Sequence, residues 1–200
     1  MTDDFSTDFP QDIGDEYDTL ESGLNDTQNE VDNTLDWEND VDTTEQQELQ
    51  AIESLSEIEE LNSNTWSELN ESERLETAQE IETTMAEIQG RPPMEVQLDE
   101  NLELCGYYDG QSIHVSDWSL SNNDPKELVD TIIHEGRHAY QHYAVQNPGF
   151  HPNENEVATW VENFSDYTEF KDDPEEYRNQ PVEADAWDYG NAIADGLYEK

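Results

Sequence analysis

Basic residues are nearly missing from this sequence. Its 200 residues hold 7 Lys and Arg against 52 Asp and Glu, a formal net charge of −45, and no base precedes Arg74. Nucleic acid and anionic lipid carry the same sign, so neither is expected as a partner. Cysteine is as scarce. Cys105 stands alone, which excludes a disulfide framework and a thiolate metal cluster and leaves it the role of a small apolar residue. No apolar run approaches the ~20 residues of a membrane-spanning helix, so no membrane insertion is expected. The opening Met1-Thr2-Asp3-Asp4-Phe5-Ser6 lacks the basic and apolar regions of a signal peptide. Synthesis in the cytoplasm is expected, and an injected effector would need no such leader. Apolar residues make up 32% of the chain, too few for tight packing throughout.

The acids invite two explanations. A dense carboxylate surface keeps a protein dissolved in high salt, and an acidic segment can serve as a docking arm or a mimic of nucleic acid. The first takes precedence because the acids also cover the second half of the chain. Residues 1–43 follow neither the helical nor the strand period, and Phe5, Phe9, Tyr17 and Trp37 are too sparse for a core, so this acidic arm is expected to be disordered. Residues 44–200 form the expected domain. An accessory helix is predicted from Leu49, Ile52, Leu55, Ile58 and Leu61, ending at Asn62-Ser63-Asn64. A second carries Leu75, Ala78, Ile81, Met85 and Ile88 and stops at Gly90. Between residues 94 and 117 the period switches to two, around a turn at Tyr108-Asp109-Gly110-Gln111, which predicts a small antiparallel unit. The fold class is therefore α+β, mostly helical.

Residues 124–149 hold the chemistry. Asp124, Pro125 and Glu127 open a helix and Asn147-Pro148-Gly149 closes it. With His134 at zero and about 100° per residue, Leu128, Val129, Ile132, Ile133, Gly136, Ala139, Tyr140 and Tyr143 share one face. His134, Glu135, His138 and His142 lie opposite. Gly136, in the middle of the apolar face, lets another element come close. His134 and His138, one turn apart, can converge on one Zn²⁺, with Glu135 beside them and turned away from ligation. The spacing alone also fits a solvated histidine pair. A di-iron bundle would need a second Glu-x-x-His, which the chain lacks.

A third ligand is sought downstream. A helix near residues 155–167 turns Val157, Trp160, Val161 and Phe164 inward and Glu162 and Asp166 outward. The last helix opens at Pro181, and Glu183 falls within its apolar face beside Ala186, Tyr189, Gly190 and Ile193. A carboxylate facing the core in a first turn needs a partner or a metal, which makes Glu183 the third candidate ligand. His142 sits too far along its helix from His134, His151 is a competitor beyond the Pro148-Gly149 turn, and His114 reads as a half-buried strand histidine.

Taken together, Thr131-Ile132-Ile133-His134-Glu135-Gly136-Arg137-His138 and the later Gln180-Pro181-Val182-Glu183-Ala184-Asp185-Ala186 resemble the zincin metallopeptidases of the glutamate-ligand type. More narrowly, they look like the small zincin domains of bacterial polymorphic and contractile-injection toxins, over residues 65–200. The resemblance implies a minimal zincin-like fold, one Zn²⁺ held by His134, His138 and Glu183, and Glu135 as the catalytic carboxylate. It also implies peptide-bond hydrolysis by a zinc-activated water, and a delivery machinery or cognate inhibitor as further partners. Four residues after the ligand Glu, where related enzymes place an orienting Asp, this chain has Trp187. Asp185 or Asp188 is expected to stand in, and Tyr177, Arg178 and His142 are candidate oxyanion donors. The charge suggests a basic protein or peptide substrate, and the strand at residues 113–116 is expected to pair with it. The rival reading is a non-catalytic acidic interaction protein with a structural metal; a third is a protease held latent by its own tail.

Overall fold

The computed structural model describes residues 43–199. The expected acidic arm, with Phe5, Phe9, Tyr17 and Trp37, therefore lies outside the described residues. The fold class is α+β: helices dominate, with one three-stranded mixed sheet. In order come helix α1 (Thr43–Ser56), a 3-10 turn (Glu59–Leu61), α2 (Ser63–Trp66) and α3 (Glu71–Gln89). Strands β1 (Glu95–Asp99), β2 (Gly106–Tyr108) and β3 (Ser112–Ser116) follow, then α4 (Asp117–Ser121), α5 (Pro125–Gln146), α6 (Glu154–Ser165), α7 (Pro174–Asn179) and α8 (Pro181–Tyr198). Among the described residues no helix is long and apolar enough to cross a membrane.

The predicted accessory helix breaks earlier than expected. It stops at Ser56, a 3-10 turn carries the chain on, and Leu49 is 60% exposed. Apolar residues at three-residue steps fall back by about 60° per step on an α-helix, so Leu49 and Ile58 cannot share its inner face. Ala51 and Leu55 pack inward instead. The next helix keeps its predicted end. Asn70 and Glu73 close a capping box at the start of α3, and Gly90, at φ 72°, terminates it in the left-handed region that glycine occupies without strain.

The antiparallel unit needs correcting in part. The turn at Asp109–Gln111 does join β2 and β3 as a hairpin, with Tyr107 opposite His114 and the Asp109 carboxylate accepting from the Gln111 and Ser112 N–H groups at 2.8 and 2.7 Å. But β1 lies parallel to β3, Val96 opposite Ile113, and β3 is the middle strand. A period of two gives a strand's faces and says nothing of its direction. What fixes β1 is side-chain chemistry from α3: Gln79 accepts from the Val96 N–H at 2.9 Å and donates to the Met94 carbonyl at 3.0 Å. That side of β1 is thereby occupied. The expectation that residues 113–116 pair with a substrate strand is overturned too, because β3 has strands on both sides.

Helix α5 is the centre of the domain and packs against α3, α6, α8, β2 and β3. Its predicted apolar face is buried, with Leu128, Val129 and Ile132 fully covered. Gly136 does admit a close neighbour, though not an apolar one. A Cβ there would lie 2.9 Å from Arg91 Nη2 and 3.0 Å from Glu82 Oε2, two atoms 2.9 Å apart in a fully buried, two-pronged ion pair. Gly106 plays the same part for the sheet: a Cβ would meet Thr131 at 2.5 Å and the His114 carbonyl at 2.9 Å, and Glu135 Cγ at 3.5 Å. Gly106→Ala is expected to cost about 1–3 kcal/mol by overpacking and to push β2 away from Glu135. Thermal unfolding checks this; an unchanged melting temperature would show that β2 has slack.

Candidate metal centre

Three side chains from two helices meet at one point. His134 and His138 lie one turn apart on α5, and Glu183 enters from the first turn of α8, 1% exposed. His134 Nε2 lies 3.2 Å from His138 Nε2 and 3.3 Å from Glu183 Oε2, and His138 Nε2 lies 3.3 Å from Glu183 Oε1. The buried group can hold a metal ion, and no other His, Cys, Asp and Glu set among the described residues does so. Glu183 Oε2 is buried without a hydrogen bond, an acceptor aimed at the shared point. α8 reaches α5 here because Pro181 starts it and Val182, Ala186 and Tyr189 bury its inner face.

A hydrogen-bond chain fixes His138. Gln141, one turn further along α5, donates its amide to the Val182 carbonyl at 2.9 Å and to Asp185 Oδ2 at 2.6 Å. Its oxygen must then face His138 Nδ1, 2.9 Å away, so Nδ1 carries the hydrogen and Nε2 of the neutral ring is a lone pair turned towards His134 and Glu183. Asp185 is itself held by Arg137, with Nε and Nη2 each 2.8 Å from one of its oxygens. The Arg137 guanidinium is sandwiched between the rings of Tyr140 and Tyr189, 4.7 and 4.5 Å away. Asp185 thus stands behind the centre, while Asp188 is exposed.

Glu183 has a support of its own: the Tyr167 hydroxyl donates to Oε1 at 2.6 Å. Burial works against its charge, but the two imidazoles outweigh burial and hold the carboxyl well below the usual range. Burial also pulls the His138 ring down, and the Glu183 carboxylate overcomes that and lifts it to about 9. A proton and a divalent ion therefore compete for the same place. Glu135 is no part of the donor set. It lies half-buried next to them and accepts from the Tyr108 N–H of β2; burial raises its pKa, an effect partly offset by both imidazoles.

The other candidates fall around this group or away from it. Tyr177, on α7, sets its ring edge-on to Tyr167 at 6.1 Å, and burial and the Glu183 and Glu135 charges raise its pKa, so its phenol keeps its proton. Arg178 is exposed and without an ion-pair partner among the described residues. His142 packs between Tyr108 and Phe164, and burial followed by the nearby His138 lowers it to about 4, so it is neutral near pH 7. His151 commits both nitrogens, to the Tyr140 hydroxyl at 2.8 Å and Glu156 at 2.9 Å, which removes it as a competitor. His114 is the half-buried strand histidine expected, stacked on Tyr107 in β2 and paired with Asp109. Glu162 and Asp166 point outward. Trp187 sets its ring 4.5 Å from that of His134 and is 37% exposed, so it walls the centre on one side.

Sequence reasoning missed Gln141, Arg137 and Tyr167. Gln141 left a signal, since i,i+3 from His138 is a contact position on any helix. Tyr167 left none, because its approach depends on how the segment after α6 folds back. No family model, no curated protein and no solved structure matches this chain.

Proposed function

We propose that the protein is a zinc-dependent endopeptidase that hydrolyses peptide bonds. The observation behind this reading is the pairing of an N,N,O donor set with a carboxylate, Glu135, that sits beside it and takes no share in it. Donors about 2.0–2.1 Å from a tetrahedral Zn²⁺ are separated by roughly 3.3 Å, and His134, His138 and Glu183 are 3.2 to 3.3 Å apart. Three protein ligands are the number typical of a catalytic zinc; structural zinc generally has four. When bound, the ion supplies a Lewis acid that polarises a carbonyl and acidifies water.

The residues of the chain supply the rest. Glu135, its carboxyl raised by burial, is placed to take a proton from water and hand it to the leaving amine. Tyr177 keeps its phenolic proton and is electrostatically linked to both Glu135 and Glu183, so it is the candidate oxyanion donor that the surroundings favour over neutral, packed His142 and exposed Arg178. Strand β2 has a neighbour on one side only; on its other side Glu135 takes the Tyr108 N–H, and an extended substrate would add beside that contact. A basic substrate fits the surplus of acids. Tests of a role as an injected effector belong to its delivery route.

The experiment is metal analysis of the purified protein followed by cleavage of peptide libraries differing in charge. One Zn²⁺ per chain, cleavage that stops with a chelator and returns with Zn²⁺, and faster cutting of Lys- and Arg-bearing peptides are expected. Protein that takes up no metal, or that cuts nothing when loaded, would end this reading.

A further inference from the structure

We infer that Asp130 is a positioning residue for His134, the carboxylate that accepts its Nδ1–H and aims the ring. This rests on the metal-centre reading above and deepens it. Once Nε2 of a neutral imidazole faces an ion, Nδ1 must carry the hydrogen, and ring-nitrogen donors of metal-ligating histidines almost always have an acceptor. For His138 that acceptor is Gln141. For His134 it is missing: Nδ1 is buried and unpaired.

Asp130 lies one turn before His134 on α5, on the same face, and helical side chains lean towards the N-terminus, so the His134 ring inclines over the Asp130 turn. Asp130 Oδ1 is also buried and unpaired, and its carboxylate is electrostatically drawn to His134. Two complementary orphans one turn apart leave little else for either to do. The remaining buried unpaired oxygens belong elsewhere, Glu183 Oε2 to the donor group and Tyr189 Oη to the neighbourhood of Gln89 and Arg137. Trp187 covers the ring but its indole offers only a donor. Gly190 closes the place from above: a Cβ there would lie 3.1 Å from Asp130 Oδ1 and 3.7 Å from the His134 backbone nitrogen, so α8 sits close over this turn and a larger residue would press on the Asp130 carboxylate. The titratable and charged groups around Asp130 are Glu127, Lys126, His134 and, from α8, Asp195.

The test compares the parent with Asp130→Ala and the isosteric Asp130→Asn, reading Zn²⁺ affinity by chelator competition and the histidine Nδ1–H resonances of the loaded protein by ¹⁵N NMR. Asp130→Ala is expected to weaken Zn²⁺ binding by about 10–100-fold, with Asp130→Asn between it and the parent because the amide oxygen still accepts. The His134 Nδ1–H signal should broaden or vanish in the Ala variant while that of His138, held by Gln141, persists. Affinity within about twofold of the parent and an unmoved His134 signal would overturn the assignment. So would loss of both signals together with a lower melting temperature of the metal-free protein, which marks general loosening. A parent that binds no Zn²⁺ would overturn the metal centre itself, a distinct result.

Discussion

Glu135→Gln is expected to lower peptide hydrolysis by about 10²–10⁴-fold, the usual contribution of a general base, with bound zinc and melting temperature nearly unchanged. The separation of effects follows from where Glu135 sits. It is not one of the donors, so an amide in its place leaves His134, His138 and Glu183 intact. It accepts from the Tyr108 N–H, and the amide oxygen can still do so. What the amide cannot do is receive a proton from water. Because Glu183 repels the Glu135 charge and burial disfavours it, the neutral variant should fold at least as well as the parent. The assay also separates the enzyme from a non-catalytic acidic protein with a structural metal, which has no use for this carboxylate. A variant that cuts as fast as the parent removes Glu135 as the base, and a zinc-loaded parent that cuts nothing decides for the latter.

Asp185→Ala is expected to cost about 3–5 kcal/mol of stability, because it strands a buried guanidinium. Arg137 is 1% exposed, and Asp185 gives it both of its charge-assisted hydrogen bonds, one on each oxygen. The same carboxylate holds the Gln141 amide that orients His138. Removing it therefore acts twice, on unfolding free energy and on metal affinity. Asp185→Asn keeps an acceptor for one of the donors and should fall between. Denaturant unfolding with and without Zn²⁺ measures both effects. A loss below about 1 kcal/mol would mean that Arg137 finds water or the rings of Tyr140, Tyr189 and, at 5.8 Å, Trp160 sufficient.

The sequence made the centre of this molecule readable because a helix is a local object. The caps of α5, its two faces and the one-turn spacing of His134 and His138 depend on neighbours within a few residues, and so does the inward position of Glu183 on α8. What was hidden depends on distant segments. The direction of β1 is set by Gln79, a side chain of another helix, and period two is blind to it. The stripe in α1 misled because apolar residues at steps of three look helical and in fact wind around the axis. Buried polar partners were harder still. Glu82 and Arg91 meet under Gly136, where the pattern called for apolar contact, and nothing in either local sequence distinguishes them from surface charges.

The few bases of this chain are consequential for the same reason. Arg74 clasps the carbonyls of Trp66, Leu120 and Asn122, Arg91 meets Glu82, Arg137 meets Asp185, and Lys126 ties the start of α5 to Asp195 and Glu199 at the end of α8. The three arginines thus work as internal bolts, while the Lys126 bridges lie at the surface, within an outer shell of nearly uniform sign. Such a shell pushes outward on itself in dilute buffer and relaxes as counterions gather; the Lys126 bridges are screened with it, while the buried arginines, shielded by the core, hardly feel the change. Ionic strength therefore acts on this fold from the outside inward, and the last part to notice it is the cluster of two rings and a carboxylate at its middle.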